Sequence, residues 1–145
     1  MSCPIKAYMT RAVNTVDSDA TVTTAARIMA ADKDFEGYVI ILQKGKPIGI
    51  VTERDLVNKV IAKGRDPSTT QATDVMSSPL VTIDPDDDLL KATQVMREQN
   101  VRKLVVVRDE IIYGVITDKH VSHNVQSYVD RSIQNIIRWT TPLGD

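Results

Sequence analysis

The chain has 145 residues, 42% hydrophobic and 26% charged, with a net charge of −1. That length supports one compact domain or two small halves sharing a core, and the near-neutral charge gives no bulk attraction to nucleic acid or anionic membrane. No apolar run reaches the roughly 20 residues that cross a bilayer. A single cysteine, Cys3, excludes an internal disulfide and points to a reducing cytoplasm, while 4% aromatics imply an aliphatic core.

Thr15–Asp17 reads as a short extended segment. From Thr21 to Lys33, Val22, Ala25, Ala26 and Met29 fall at i, i+3, i+4 and i+7, which predicts a helix. Tyr38–Leu42 is a near-continuous apolar run, as in a buried strand. Gln43–Lys46 is a turn, and Ile48–Val51 is the return strand of a hairpin. Leu56, Val57, Val60 and Ile61 again have helical spacing, with Gly64 placed to end that helix. A polar link follows from Arg65 to Thr73. Val81–Ile83 is the next short strand, and Asp86, Asp87 and Asp88 put negative charge at a helix N-terminus, where the helix dipole favours it. Leu89, Ala92 and Met96 form that helix's stripe. Lys103–Val107, a turn at Arg108–Glu110, and Ile111–Ile116 make a second hairpin. Beyond Asn124, the spacing of Ile133, Ile136 and Ile137 predicts one more helix, carrying Trp139.

The order of elements occurs twice, and so do the residues. Gly49-Ile50-Val51-Thr52-Glu53-Arg54-Asp55 returns 65 residues later as Gly114-Val115-Ile116-Thr117-Asp118-Lys119-His120. Met9, Thr15, Asp17, Ala25 and Met29 return 67 residues later as Met76, Thr82, Asp84, Ala92 and Met96. An internal repeat of this length implies duplicated units. The fold class is α+β: two pseudo-symmetric β-α-β-β-α repeats, residues 5–64 and 72–124, packed sheet to sheet, with a helical tail over 125–145. A repeat of about 60 residues holds too little core to be secure alone. Two copies packed face to face leave a cleft on each side, where the hairpins meet.

The duplicated pattern resembles a tandem pair of CBS domains, a Bateman module. The residues that carry the likeness are Asp74-Val75-Met76 leading into Pro79-Leu80-Val81-Thr82-Ile83, Asn100-Val101-Arg102-Lys103-Leu104-Val105-Val106, and the closing Gly-h-h-Thr-x-x-Asp (h apolar) of the first copy, Gly49 to Asp55. The resemblance implies a non-catalytic regulatory fold, commonly for adenosine nucleotides, with each cleft built across both copies. It places Ile50, Thr52, Asp55, Pro79, Leu80, Val81, Val101, Arg102, Lys103 and Lys119 in a first cleft. It places Ala12, Val13, Asn14, Phe35, Glu36, Gly37, Arg54, Val115, Thr117 and His120 in a second.

Chemistry separates the two. A carboxylate can accept from both hydroxyls of a ribose, each bond contributing roughly 1.5–3 kcal/mol when desolvated. Asp55 can do this; a neutral imidazole at His120 has one acceptor nitrogen and cannot. At the phosphate end the first cleft offers Arg102, Lys103 and Lys119, whereas the second offers Glu36, whose repulsion of a phosphate at 4 Å is roughly 4 kcal/mol at an effective dielectric near 20. The expectation is one site for AMP, ADP or ATP per chain and one degenerate cleft, with no other cofactor, no metal, and output through a homodimer or an unidentified protein partner. Asp55→Ala is expected to abolish most of the stabilisation by ligand while leaving the melting temperature of the free protein within a few degrees of the parent. The bland alternative makes Thr52 and Asp55 a capping box at a helix start. Two histidines, His120 and His123, form a poor metal set without a third strong ligand. The other functional readings are a scaffold with vestigial clefts and a weakly nucleic-acid-binding module.

Overall fold

The structure is a computed structural model, and it describes residues 3–124. The first repeat opens on a 3-10 turn, Ile5–Ala7, followed by β1 (Thr15–Asp17), α1 (Val22–Ala31), β2 (Tyr38–Gln43) and β3 (Lys46–Thr52). A short helix, α2 (Glu53–Asp55), then runs on with π-helical hydrogen bonding over Leu56–Ile61. The second repeat opens on α3 (Ala72–Val75) and continues through β4 (Thr82–Ile83), α4 (Leu89–Gln99), β5 (Lys103–Arg108) and β6 (Ile111–Thr117). A further helix, α5, occupies residues 118–124.

Local chemistry accounts for the ends. The Thr21 hydroxyl accepts from Thr24 N–H to start α1, and the Asp88 carboxylate accepts from Leu90 N–H to start α4. Asn100 ends α4 in the left-handed conformation, a position Asn tolerates. Both hairpins turn on two residues of positive φ, Lys44–Gly45 and Asp109–Glu110, the turn whose twist matches that of paired strands.

Each repeat contributes a three-stranded sheet, ordered β1-β2-β3 and β4-β5-β6, with the first pair parallel and the second antiparallel. The registers match between repeats: Ile40 faces Ile50, and Val105 faces Val115. Both hairpins carry a register shift at the same place, beside Ile41 and beside Val106. Side chains alternate across each sheet. Val39 and Ile41 turn to the helices of their own repeat, as do Leu104 and Val106 in the second. Tyr38, Ile40, Val105 and Val115 turn inward and join a third cluster between the sheets. The α+β fold of two sheet-packed repeats is therefore as read from the sequence.

The opening segments are exchanged. Ile5 and Met9 lie in the core of the second repeat, with Leu89, Met96, Leu104 and Ile116. Ala72 and Val75 lie in the core of the first, with Val22, Met29, Val39 and Val51. Each fully buried Ile or Met contributes about 1.5–3 kcal/mol, so the exchange is a substantial part of both cores. Backbone pairing seals it: Thr10 and Val115 exchange two hydrogen bonds of 2.9 Å, and Ile50 and Ser77 exchange bonds of 2.8 and 3.1 Å. Gly114 admits the first crossing, because a Cβ there would overlap the Thr10 carbonyl oxygen.

Among the apolar residues after Thr52, Leu56 packs partly on the first core and Val60 is buried within it. Val57 and Ile61 remain exposed, at 53% and 73%. Val121 is buried in the second core. Val125, the tail over 125–145 and its expected helix lie outside the described residues.

Candidate functional site

An open cleft of about 790 Å³ runs between the two hairpins. The first repeat lines it with Ile50, Thr52, Glu53, Arg54, Asp55, Asn58 and Lys59. The second lines it with Ser77, Gln99, Asn100, Val101, Arg102 and Lys103. Of the residues expected here, the structure brings together Ile50, Thr52, Asp55, Val101, Arg102 and Lys103. Pro79, Leu80, Val81 and Lys119 are not on this wall: Leu80 packs between the sheets, Val81 packs on the second core, and Lys119 is exposed on α5. Arg54, expected at the second cleft, lines the first, and its Nη2 donates to the Asn100 carbonyl at 3.0 Å. The physical reason is direction: the side chain lies across the junction toward the left-handed end of α4.

Thr52 and Asp55 form a reciprocal capping box. The Asp55 N–H donates to Thr52 Oγ1 at 3.4 Å, while Asp55 Oδ2 accepts from the Thr52 N–H at 2.9 Å and from its hydroxyl at 3.1 Å. Oδ1 accepts from Ser77 Oγ at 2.9 Å and from Lys59 Nζ at 2.9 Å. The carboxylate is 5% exposed, and its roughly four lone-pair positions are all used. The capping box, the structural alternative to ligand contact, is therefore present. Asp55 is a structural cap and a cleft residue at once, because the position that faces the cleft is also the third residue of a helix.

Four cations share this wall, Arg54, Lys59, Arg102 and Lys103, against Glu53 and Asp55. Lys103 is half-buried; burial pulls its ammonium below the usual range, with Arg102 adding to the effect and Glu53 and Asp118 opposing it. Its counterpart in the first hairpin is Tyr38, which is fully buried and whose hydroxyl burial pushes above its usual range. Only the second hairpin thus presents a charge to the cleft at this register.

The second junction is organised differently. His120 takes the place of Asp55 in the cap: the Thr117 N–H donates to His120 Nδ1 at 3.1 Å. The other ring nitrogen, Nε2, lies 3.1 Å from Thr10 Oγ1 and 3.4 Å from Glu36 Oε1. Thr10 Oγ1 in turn donates to Glu36 Oε1 at 2.6 Å. Glu36 and His120, expected at opposite ends of a ligand, face each other across the junction through Thr10. Asp32 holds the adjoining loop by accepting from Asn14 Nδ2 and from the N–H groups of Asp34 and Glu36. Burial alone would raise its carboxyl; these donors outweigh that and hold it below the usual carboxylate range. Phe35 on this loop is 74% exposed at φ +51°. Gly37 takes φ +64°, a conformation that favours glycine, with the Glu53 side chain against it. Ala12 is exposed, Val13 and Val115 belong to the inter-sheet cluster, and Thr117 is buried. Among the described residues no three His, Cys, Asp or Glu side chains group as metal ligands.

Ser77 and Lys59 were missed by sequence reasoning. Ser77 had a signal: it follows Met76 as Thr10 follows Met9, so both polar positions reach the helix cap of the other repeat. Lys59 stands four residues after Asp55, the helical spacing of an ion pair.

Two exchanged repeats around hairpin clefts lined with polar and charged side chains define a duplicated regulatory module. The CBS domain family matches residues 5–62 and 72–127, and the chain belongs to it as a tandem CBS pair. A Methanopyrus kandleri protein is 36% identical over 97 residues, 66% of this chain; the match spans 49% of that protein, so the chain covers about half its length. Among solved structures, a hexameric CBS-CP12 protein from bloom-forming cyanobacteria is similar at TM-score 0.76 and 28% identity, covering 83% of this chain and 67% of that one. A CBS domain protein of Pyrobaculum aerophilum, solved with AMP, is similar at TM-score 0.72 and 24% identity, covering 81% of this chain and 88% of that one. No described helix is long and apolar enough to cross a membrane.

Proposed function

We propose that the first cleft is a regulatory site for an adenosine nucleotide, AMP foremost with ADP and ATP as alternatives. The observation that carries this reading is one wall bearing Asp55 and Thr52 for a ribose, Arg54, Arg102 and Lys103 for a phosphate, and Ile50 and Val101 for a flat apolar base. The AMP complex of the Pyrobaculum protein supports it by analogy of fold. The second junction, where Glu36 and His120 pair with each other, binds nucleotide at least about tenfold more weakly, which needs only about 1.4 kcal/mol. Output passes through self-association on the exposed Val57 and Ile61, or through a protein partner, in a cytoplasmic setting and without catalysis.

A second reading, a scaffold with vestigial clefts, is favoured by the internal satisfaction of Asp55 and by the pairing of Glu36 with His120. Thermal unfolding with and without AMP, ADP and ATP separates the two. With a Kd of about 10 µM, 1 mM ligand stabilises by about 2.7 kcal/mol, a shift of several degrees. Calorimetry then gives a stoichiometry near one per chain. No shift with any of the three leaves the scaffold reading.

A further inference from the structure

The first cleft holds its own occupant. Lys59 Nζ sits 2.9 Å from Asp55 Oδ1 and 3.1 Å from the Val75 carbonyl oxygen. It therefore ties the helix after β3 to the end of α3, the segment that the second repeat lends to the first core. Two features make the contact removable. The Lys59 side chain is 42% exposed and lines the cleft, and it stands on the π-helical stretch Leu56–Ile61, a widened turn of a kind often found at functional sites. The two donors on Oδ2 belong to Thr52 and are fixed by the capping box. Only the partners of Oδ1, Lys59 and Ser77, can yield to an incoming hydroxyl pair without uncapping the helix. In the second repeat the position matching Lys59 is Asn124, whose Nδ2 donates to the His120 carbonyl at 2.7 Å.

We propose that Lys59 is an internal competitor for the ribose position, a latch that a nucleoside must displace from Asp55. This rests on the nucleotide reading of the first cleft and adds its regulation. Displacement frees Nζ from Asp55 and from Val75 together, so occupancy of the cleft loosens the tie to α3 and is communicated to the other repeat.

Adenosine is the clean probe, because it has no phosphate that Lys59 could assist. Its Kd, and that of AMP, are measured by calorimetry on the parent and on Lys59→Met, Lys59→Gln and Lys59→Arg, with far-ultraviolet circular dichroism and melting to confirm folding. Lys59→Met and Lys59→Gln should each bind adenosine roughly three- to tenfold more tightly, the range expected for losing a partly exposed ion pair. Lys59→Arg, which restores the cation, should return to the parent value; a purely structural lysine would show no such gain and rescue. If both neutral variants fold and bind adenosine no more tightly than the parent while AMP still binds, the latch is wrong and the nucleotide site stands. If parent and variants alike bind neither adenosine nor AMP, the nucleotide reading falls and the latch with it. Binding gained by the neutral variants where the parent shows none supports the latch.

Discussion

Asp55→Ala tests how much of this fold rests on one carboxylate. The side chain is 5% exposed and accepts from the Thr52 N–H, the Thr52 hydroxyl, Ser77 and Lys59. Losing the reciprocal cap costs about 1 kcal/mol, and leaving buried donors without an acceptor costs about 1–3 kcal/mol more. Lys59 can turn to solvent, so the lower part of that range applies, and the expected loss is about 2–3 kcal/mol, or roughly 5–10 °C in Tm for a chain of this length. Asp55→Asn keeps an acceptor for the Thr52 N–H and loses mainly the ion pair with Lys59, so it should cost about 1 kcal/mol. The assay is urea denaturation of the ligand-free parent and both variants, followed by thermal melts. If Asp55→Ala melts within about 2 °C of the parent, the carboxylate is not the cap and anchor described above. The same ranking makes Asp55→Asn the sounder variant for ligand binding, since it separates lost recognition from lost fold.

Gly114→Ala should destabilise by about 1–3 kcal/mol or more, because its Cβ meets the fixed Thr10 carbonyl, whereas Gly49→Ala meets mainly the Met76 side chain, which can move, and should cost less; equal midpoints in denaturant would refute the distinction. His120→Asp sets a second carboxylate against Glu36, now 3.4 Å from the ring, and should cost about 1–2 kcal/mol, most of it recovered by adding Glu36→Gln; a double-mutant cycle with no coupling would show that the two side chains do not interact. Asp32 has its carboxyl held below its usual value of 3.8 in the fold, so its stabilising contribution is present above that pH and is lost on acidification below it. Asp32→Asn should therefore differ most from the parent at pH 7 and least near pH 3, about a unit below the usual value; an equal difference at both pH values would contradict the assignment.

The parts of the fold that were legible in the sequence are those with enough residues to show a period. Val22, Ala25 and Met29 marked α1, and the apolar run from Tyr38 marked a strand buried on both faces, one toward α1 and one toward the other sheet. The two short opening segments were not legible. Ile5–Ala7 and Ala72–Val75 are three and four residues long, too short for periodicity, and their role depends on a crossing that no local pattern encodes. The site divided in the same way. Thr52, Asp55, Arg102 and Lys103 stood out by chemistry and repetition, and the structure gathers them on one wall. The resemblance implies Leu80 and Val81 there as well, but both precede β4 and pack, partly buried, against the inter-sheet cluster and the second core. Lys59 stayed hidden because a lysine on a helix is ordinarily solvated; the i, i+4 spacing offers Asp55 as its partner, but its second bond, to the Val75 carbonyl, comes from the segment the other repeat supplies.

The exchange of opening segments means that the sequence repeat and the unit of folding are different things. A chain cut within residues 65–71 would yield one piece with Ile5 and Met9 but no core to receive them, and another with Ala72 and Val75 in the same position. Each fragment would expose an apolar slot shaped for a segment its counterpart carries. The two should reassemble on mixing, and a lone copy should seek a second of its own kind. In the intact chain, the polar link between the repeats acts as a tether that keeps two mutually dependent halves at high effective concentration. Melting should accordingly be a single transition, since neither half can open without uncovering the other.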